Sequence, residues 1–217
     1  EELSWRGVEA ARKLLNDVKP FAGHPYKLVR EKISRCFFVT MRATWEPMLT
    51  VPAFTAGRSP VPEDTPVHPV RQLAIDLAEQ ISSTRAPTDD KEVRRTATNR
   101  AKTVLQWVTI AFNDGSSASL VPHLDALLPC LFSLPETNPE DDELGNLTTQ
   151  ALGFAAQMVL PYGTSAAYFQ AVVSVGTDPS WHARKRALHF LQVLVFRNLF
   201  VAPIKLVTDL VVKLLKD

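Results

Sequence analysis

The chain has 217 residues, 46% of them hydrophobic and 22% charged, which fits a folded domain or a stretch of an elongated array. Its 24 cations and 23 acids leave a net charge of +1, without the basic excess of a nucleic-acid or membrane binder. Cys36 and Cys130 are too few for a disulfide framework and read as buried free thiols in a reducing compartment.

The opening residues, EELSWRGVEA, lack the apolar centre of a secretory signal. No apolar run approaches the ~20 residues that span a bilayer. A cytosolic or nuclear protein is expected. Apolar residues recur at helical spacing almost throughout, and period-two alternation is rare, so the fold class expected is all-α. The pattern predicts helices over 2–18, 25–42, 67–84, 89–113, 118–132, 139–160, 162–176, 179–200 and 202–216.

In chain order, Val29, Ile33, Phe37 and Thr40 share one face, with Cys36 beside them. The segment Glu46 to Pro69 holds six prolines and little helical pattern, and is expected to be a long connecting loop (46–69). Val70, Leu73, Ala74, Leu77, Ala78 and Ile81 form the next stripe. Ser82 to Asp90 is polar and reads as a loop. Val93, Ala97, Ala101, Val104, Val108 and Ala111 form a third stripe, with Trp107 as a core residue. The acidic stretch Pro135 to Glu143 should open a helix, where negative charge meets the positive end of the helix dipole. Leu188, Leu191, Val195 and Leu199 complete the set.

Proline is the main punctuation, with 16 prolines against 8 glycines. Pro25, Pro69, Pro139 and Pro179 each follow His, Asn or Asp, as expected of a first helical residue behind a cap.

Two stretches share a skeleton. His24-Pro25-Tyr26-Lys27-Leu28-Val29-Arg30 aligns with Asp178-Pro179-Ser180-Trp181-His182-Ala183-Arg184, followed by Ile33 and Ala187. A weaker copy runs from Thr88 to Arg94, with Val93, Arg94 and Ala97 in the matching places. The structural repeat positions are therefore Pro25, Val29, Arg30, Val93, Arg94, Pro179, Ala183 and Arg184. The Val or Ala and the residue four further on should face the core, and the Arg should reach an acid or carbonyl of a neighbouring layer. Repetition of a helix-opening unit marks an α-solenoid of antiparallel helix pairs, with HEAT-like or armadillo-like repeats.

The second copy carries His182 and His189, but seven residues of helix separate them by ~10 Å, too far for one metal ion whose bonds to nitrogen are ~2 Å. Trp181 and Arg184 read as structural, and Lys185 and Arg186 as a solvated face. No phosphate-binding loop, dinucleotide fingerprint, serine elbow, zinc motif or calcium loop occurs. Ser165 lacks the flanking glycines of a nucleophile elbow. No catalytic residue, metal ligand or cofactor site is assigned, and the chain is not expected to be an enzyme. Trp45, before the proline-rich loop, is expected to be partly exposed, and no ligand-stacking role is assigned to it.

HPYKLVREKI, RTATNRAKTVLQWV (Arg95 to Val108) and SWHARKRALHFLQVLVFRNLF (Ser180 to Phe200) occur in an order that resembles the C-terminal region of the giant single-chain HEAT-repeat proteasome activators. The resemblance covers most of the chain and is faint at 44–90 and 113–149. It implies that residues 1–217 are one solenoid segment of a much larger dome. That dome caps the proteasome core particle and promotes degradation of peptides and unfolded proteins without ATP or ubiquitin. It further implies a nuclear and cytoplasmic location, acetylated histones as partners, roles in histone degradation and DNA repair, and inositol phosphates at the dome openings. None of those ligands maps to a residue here. The family's C-terminal tail with its penultimate tyrosine has no counterpart in Lys213 to Asp217. The alternative is a HEAT or armadillo scaffold of another family, such as a transport receptor or complex-assembly scaffold.

Overall fold

A computed structural model describes residues 10, 13–49, 75, 78–79, 82, 90–113, 127–137, 139–160 and 165–214. Among the described residues the regular structure is entirely helical. Residues 13–18 are helical and lead into a 3₁₀ turn at Lys19–Gly23. The α-helices follow as α1 (Lys27–Leu49), α2 (Lys91–Asn113), α3 (Leu128–Ser133), α4 (Asp142–Ala156), α5 (Ser165–Ser174), α6 (Trp181–Arg197) and α7 (Ile204–Leu214).

These helices stack in two rows. In the first, α1 packs on α2, α2 on α4, and α4 on α6. In the second, α3 packs on α5 and α5 on α7. Both α3 and α5 also touch α6, and α3 touches α4, so the rows meet at both helices. Next to α3, the Sγ of Cys130 lies 3.4 Å from Ser82 Oγ and 3.7 Å from the carbonyl of Ala78. Both cysteines are free and half-buried.

Helix α2 is the most enclosed element, because neighbours cover two of its faces. Ala101, Val104, Leu105, Val108, Ala111 and Phe112 follow the helical period and are buried. Its polar Thr98, Asn99, Lys102 and Thr103 are buried as well, and each has a partner. Thr103 Oγ1 donates to the carbonyl of Ala22, and the amide of Asn99 reaches that of Gly23 at 3.4 Å. These bonds draw the 3₁₀ turn onto α2. A side chain at Gly23 has no room there: an added Cβ would lie 2.6 Å from Thr96 Cγ2 and 3.1 Å from the Thr96 carbonyl oxygen. Trp107 is fully buried in this core with Phe37, Phe132, Tyr168 and Phe169. Phe132 meets Phe190 edge-on, with centroids 5.2 Å apart.

The chain between α4 and α5 is held by Asn198, at the C-terminal end of α6. Its Oδ1 accepts the N–H of Leu160 at 2.7 Å, and its Nδ2 donates to the carbonyls of Met158 at 2.8 Å and Leu194 at 2.9 Å. One buried amide thus satisfies three backbone groups, one in its own last turn and two in the neighbouring connection.

Several expectations need correction. The helix expected over 25–42 runs on to Leu49, past the expected start of the loop at Glu46. The rest of 46–69 and most of the 70–81 stripe fall outside the described residues. Val93 is 54% exposed, in a first turn and a half of α2 whose residues 91–95 are all exposed. In α6 the buried face is Ala183, Ala187, Phe190, Leu191 and Leu194. The expected stripe is rotated from it, and Leu199 lies beyond the helix end and is exposed. Helix α4 is shorter than 139–160, starting at Asp142 behind the cap Asp141 and ending at Ala156.

Replacing Asn198 with Ala should lower stability by about 2–4 kcal/mol, since it leaves buried backbone groups without partners. Urea unfolding followed by circular dichroism measures this.

Candidate functional site

The repeated skeleton forms a local clamp at the start of a helix. In α1 the carbonyl of Tyr26 accepts the backbone N–H of Arg30, in α2 that of Asp90 accepts from Arg94, and in α6 that of Ser180 accepts from Arg184. The three arginines therefore occupy the same helical register. Arg30 Nη1 turns back to donate to the carbonyls of His24 at 3.1 Å and Pro25 at 2.8 Å. Arg184 Nη1 does the same to Asp178 at 2.7 Å and Pro179 at 3.2 Å. Ahead of each helix, the side chain of the first aligned residue holds the turn. His24 Nδ1 accepts the N–H of Tyr26 at 3.3 Å, and Asp178 Oδ1 accepts that of Ser180 at 2.9 Å.

Two expectations change as a result. Pro25 and Pro179 lie in the turn before the helix, and the capping residue of α6 is Ser180, whose hydroxyl accepts from Ala183 N–H. Arg184 bonds the loop leading into its own helix, where a neighbouring layer was expected. A sequence alignment brings out the repeated arginine, but not the direction its side chain takes.

Arg30, only 3% exposed, has a second function. Its Nη2 lies 3.5 Å from Glu143 Oε2 on α4. Lys102 of α2 is also buried there, 2.8 Å from both Asp141 Oδ2 and Glu143 Oε2. Lys27 adds a longer contact to Glu143 at 3.6 Å. Asp141 meanwhile caps α4 by accepting the N–H of Leu144. Burial raises the Glu143 pKa, but the Lys102 hydrogen bond and the charges of Lys102, Arg30 and Lys27 together outweigh it and hold the carboxyl below its ordinary value. This cluster joins three helices through its charges, although Arg30 Nε and Glu143 Oε1 are buried without a hydrogen-bond partner.

His182, Lys185, Arg186 and His189 of α6 line a groove of about 530 Å³ between α4 and α6. Leu152, Ala156 and Phe190 form a largely buried apolar floor, with Val193 beside them. His182, Lys185 and His189 stand on one rim, and Gln157 lies across from them. Trp181, 55% exposed, stacks on His182 with centroids 3.8 Å apart, and Lys185 Nζ lies 5.7 Å from its ring centroid. Arg186 is not on a solvated face as expected. It donates to the carbonyl of Phe132 at 2.8 Å and pairs with Glu136 at 3.0 Å, tying α6 to α3 and the turn after it. Ser165 is buried at the start of α5. Among the described residues no cluster of His, Cys, Asp or Glu could hold a metal ion, and no helix is long and apolar enough to cross a membrane. The side chains of Trp5 and Trp45 fall outside the described residues.

Together these features define an all-α protein of packed helices, in which a buried charge cluster joins three helices and a surface groove opens between α4 and α6. Over 98% of its length the chain is related to one segment of the proteins named proteasome activator complex subunit 4. It is 29% identical over 224 residues to Proteasome activator complex subunit 4A of Danio rerio and 26% identical over 226 residues to Proteasome activator complex subunit 4 of Homo sapiens. With the Xenopus laevis protein it shares 24% identity over 204 residues, 91% of this chain. The chain spans 12% of the length of the Danio rerio and Homo sapiens relatives and 11% of the Xenopus laevis one. No family model matches the chain. No solved structure matches it either.

Removing the buried clamp should cost more than removing the exposed one. Arg30→Ala should lose about 3 kcal/mol, because it also strips Glu143 of a partner, and Arg184→Ala about 1.5 kcal/mol. Denaturant titration of both variants compares them.

The lowered pKa of Glu143 stabilises the fold above its ordinary value of 4.5, and that contribution fades as pH falls through the folded-state value. Glu143→Gln should therefore be less stable than the parent at pH 7, with the gap closing below pH 4.5. Melting temperatures measured across pH 3–7 follow the two curves.

Proposed function

We propose that this chain is a non-catalytic segment of a proteasome activator, and that its two helix rows are part of a HEAT-like solenoid. The observation that carries the reading is the similarity to proteasome activator complex subunit 4 along almost the entire chain. The repeated arginine clamp at the starts of α1 and α6 supports the solenoid, since equivalent helices of successive repeats share local devices. In this reading the whole protein caps the proteasome core particle and promotes degradation of peptides and unfolded chains without ATP or ubiquitin. The segment contributes wall, and hydrolysis belongs to the core particle. A nuclear and cytoplasmic location and contact with acetylated histones are parts of the same proposal.

The test mixes the full-length protein with latent core particle, without ATP, and follows cleavage of a short fluorogenic peptide. Faster cleavage with co-sedimentation is the expected result. Absence of binding would leave a helical scaffold for another partner, such as a transport or complex-assembly system.

A further inference from the structure

We infer that the outer face of α7 is the docking surface for the first helix that follows Asp217 in the full-length protein. The inference rests on the reading of this chain as a segment of a longer helical array. The first support is the division of α7 into three strips, each spaced by three or four residues. Leu206, Leu210 and Leu214 form the inner strip, with Leu210 buried and the other two packed against the core. Leu210 fits closely at Gly176, where an added Cβ would overlap its Cδ1. Lys205, Asp209 and Lys213 form a charged strip, and the first two pair at 3.2 Å. Ile204, Val207, Thr208 and Val211 form the outer strip, which carries no charge. Ile204 is 55% exposed and Val211 37%, with Val212 beside them at 45%.

The second support is residue type. All the leucines of α7 lie on the inner strip, and all its β-branched residues lie on or beside the outer one. β-branched side chains lose rotamer freedom in a helix, so a solvent-facing strip is better filled by straight-chain residues. A helix with one apolar strip rests on one neighbour. A helix with two is enclosed between neighbours, as α2 is. The sequence of α7 is therefore that of a helix covered on both sides, and the inner side already has its cover.

The third support identifies the occupant. Helices of the two rows alternate along the chain: α3 is followed by α4 and touches it, and α5 is followed by α6 and touches it. By the same succession α7 is followed by a first-row helix, which no described residue supplies. The chain spans 12% of the length of its Danio rerio and Homo sapiens relatives. In a protein of that length the next helix comes from the chain itself. A helix tethered directly behind α7 arrives at a millimolar-scale effective concentration, which a second copy does not match. The uncharged outer strip also offers nothing to a strongly charged partner.

The test uses the full-length protein without core particle, so its failure is distinct from failure of the proteasome reading. A diazirine-bearing aliphatic amino acid is placed at position 211 and photolysed, and the cross-linked peptide is identified by mass spectrometry. It should come from the first helix after Asp217. In parallel, Val211→Cys and Lys205→Cys are labelled with N-ethylmaleimide, each rate being taken relative to the urea-unfolded protein. The thiol of Val211→Cys should react at least about tenfold more slowly than that of Lys205→Cys. Thr208→Cys, a milder change on the same strip, should show the same protection and serves if Val211→Cys does not fold. Equal rates on the two strips would overturn the inference. So would a cross-link to a second copy or to a distant segment, protection lost on dilution, or protection gained only when core particle is added.

Discussion

The ammonium of Lys102 is buried between helices, with carboxylate oxygens of Asp141 and Glu143 both 2.8 Å away. An unpaired charge could not remain there, because leaving water costs several kcal/mol per ion. The acids must therefore stay where they are, and they belong to the start of α4. Asp141 caps that helix while it holds the lysine, so one residue fixes both where α4 begins and how it sits against α2. Arg30 brings α1 into the same arrangement. The first row of helices is thus set by a polar contact with demanding geometry. The apolar faces alone would tolerate sliding.

The later helices depend on that placement. Helix α4 is one wall of the groove, and α6 is the other. Asn198 fixes the far end of α6 to the segment leaving α4, while Arg186 ties its middle to α3. The groove is accordingly held open between two anchored helices. Its apolar floor is a continuation of the core, and its rim is the part of α6 that the core does not use.

This division explains why a single stretch of sequence can serve two purposes. In Asp178 to Gln192, Ala183, Ala187, Phe190 and Leu191 turn inward, Arg184 closes the turn ahead of the helix, and His182, Lys185 and His189 turn to the groove. Segments of a stacked helical wall need the first two properties to exist at all. The third is free to vary.

The sequence by itself determined the helical class, the core position of Trp107, the acidic opening of α4 and the kinship of the Arg30 and Arg184 segments. Those features depend on local periodicity, capping chemistry and dipole charge, which act over a few residues. The resemblance to proteasome activators was legible in the same segments. Only the tertiary structure decided which way the arginines turn, that Val93 is exposed, that α6 is rotated from its expected stripe and that Arg186 is engaged. It alone revealed the Lys102 cluster and the groove, whose residues lie tens of positions apart in the chain. Long-range pairing of this kind depends on how helices stack, and periodicity within one helix carries no information about which neighbour will cover each face.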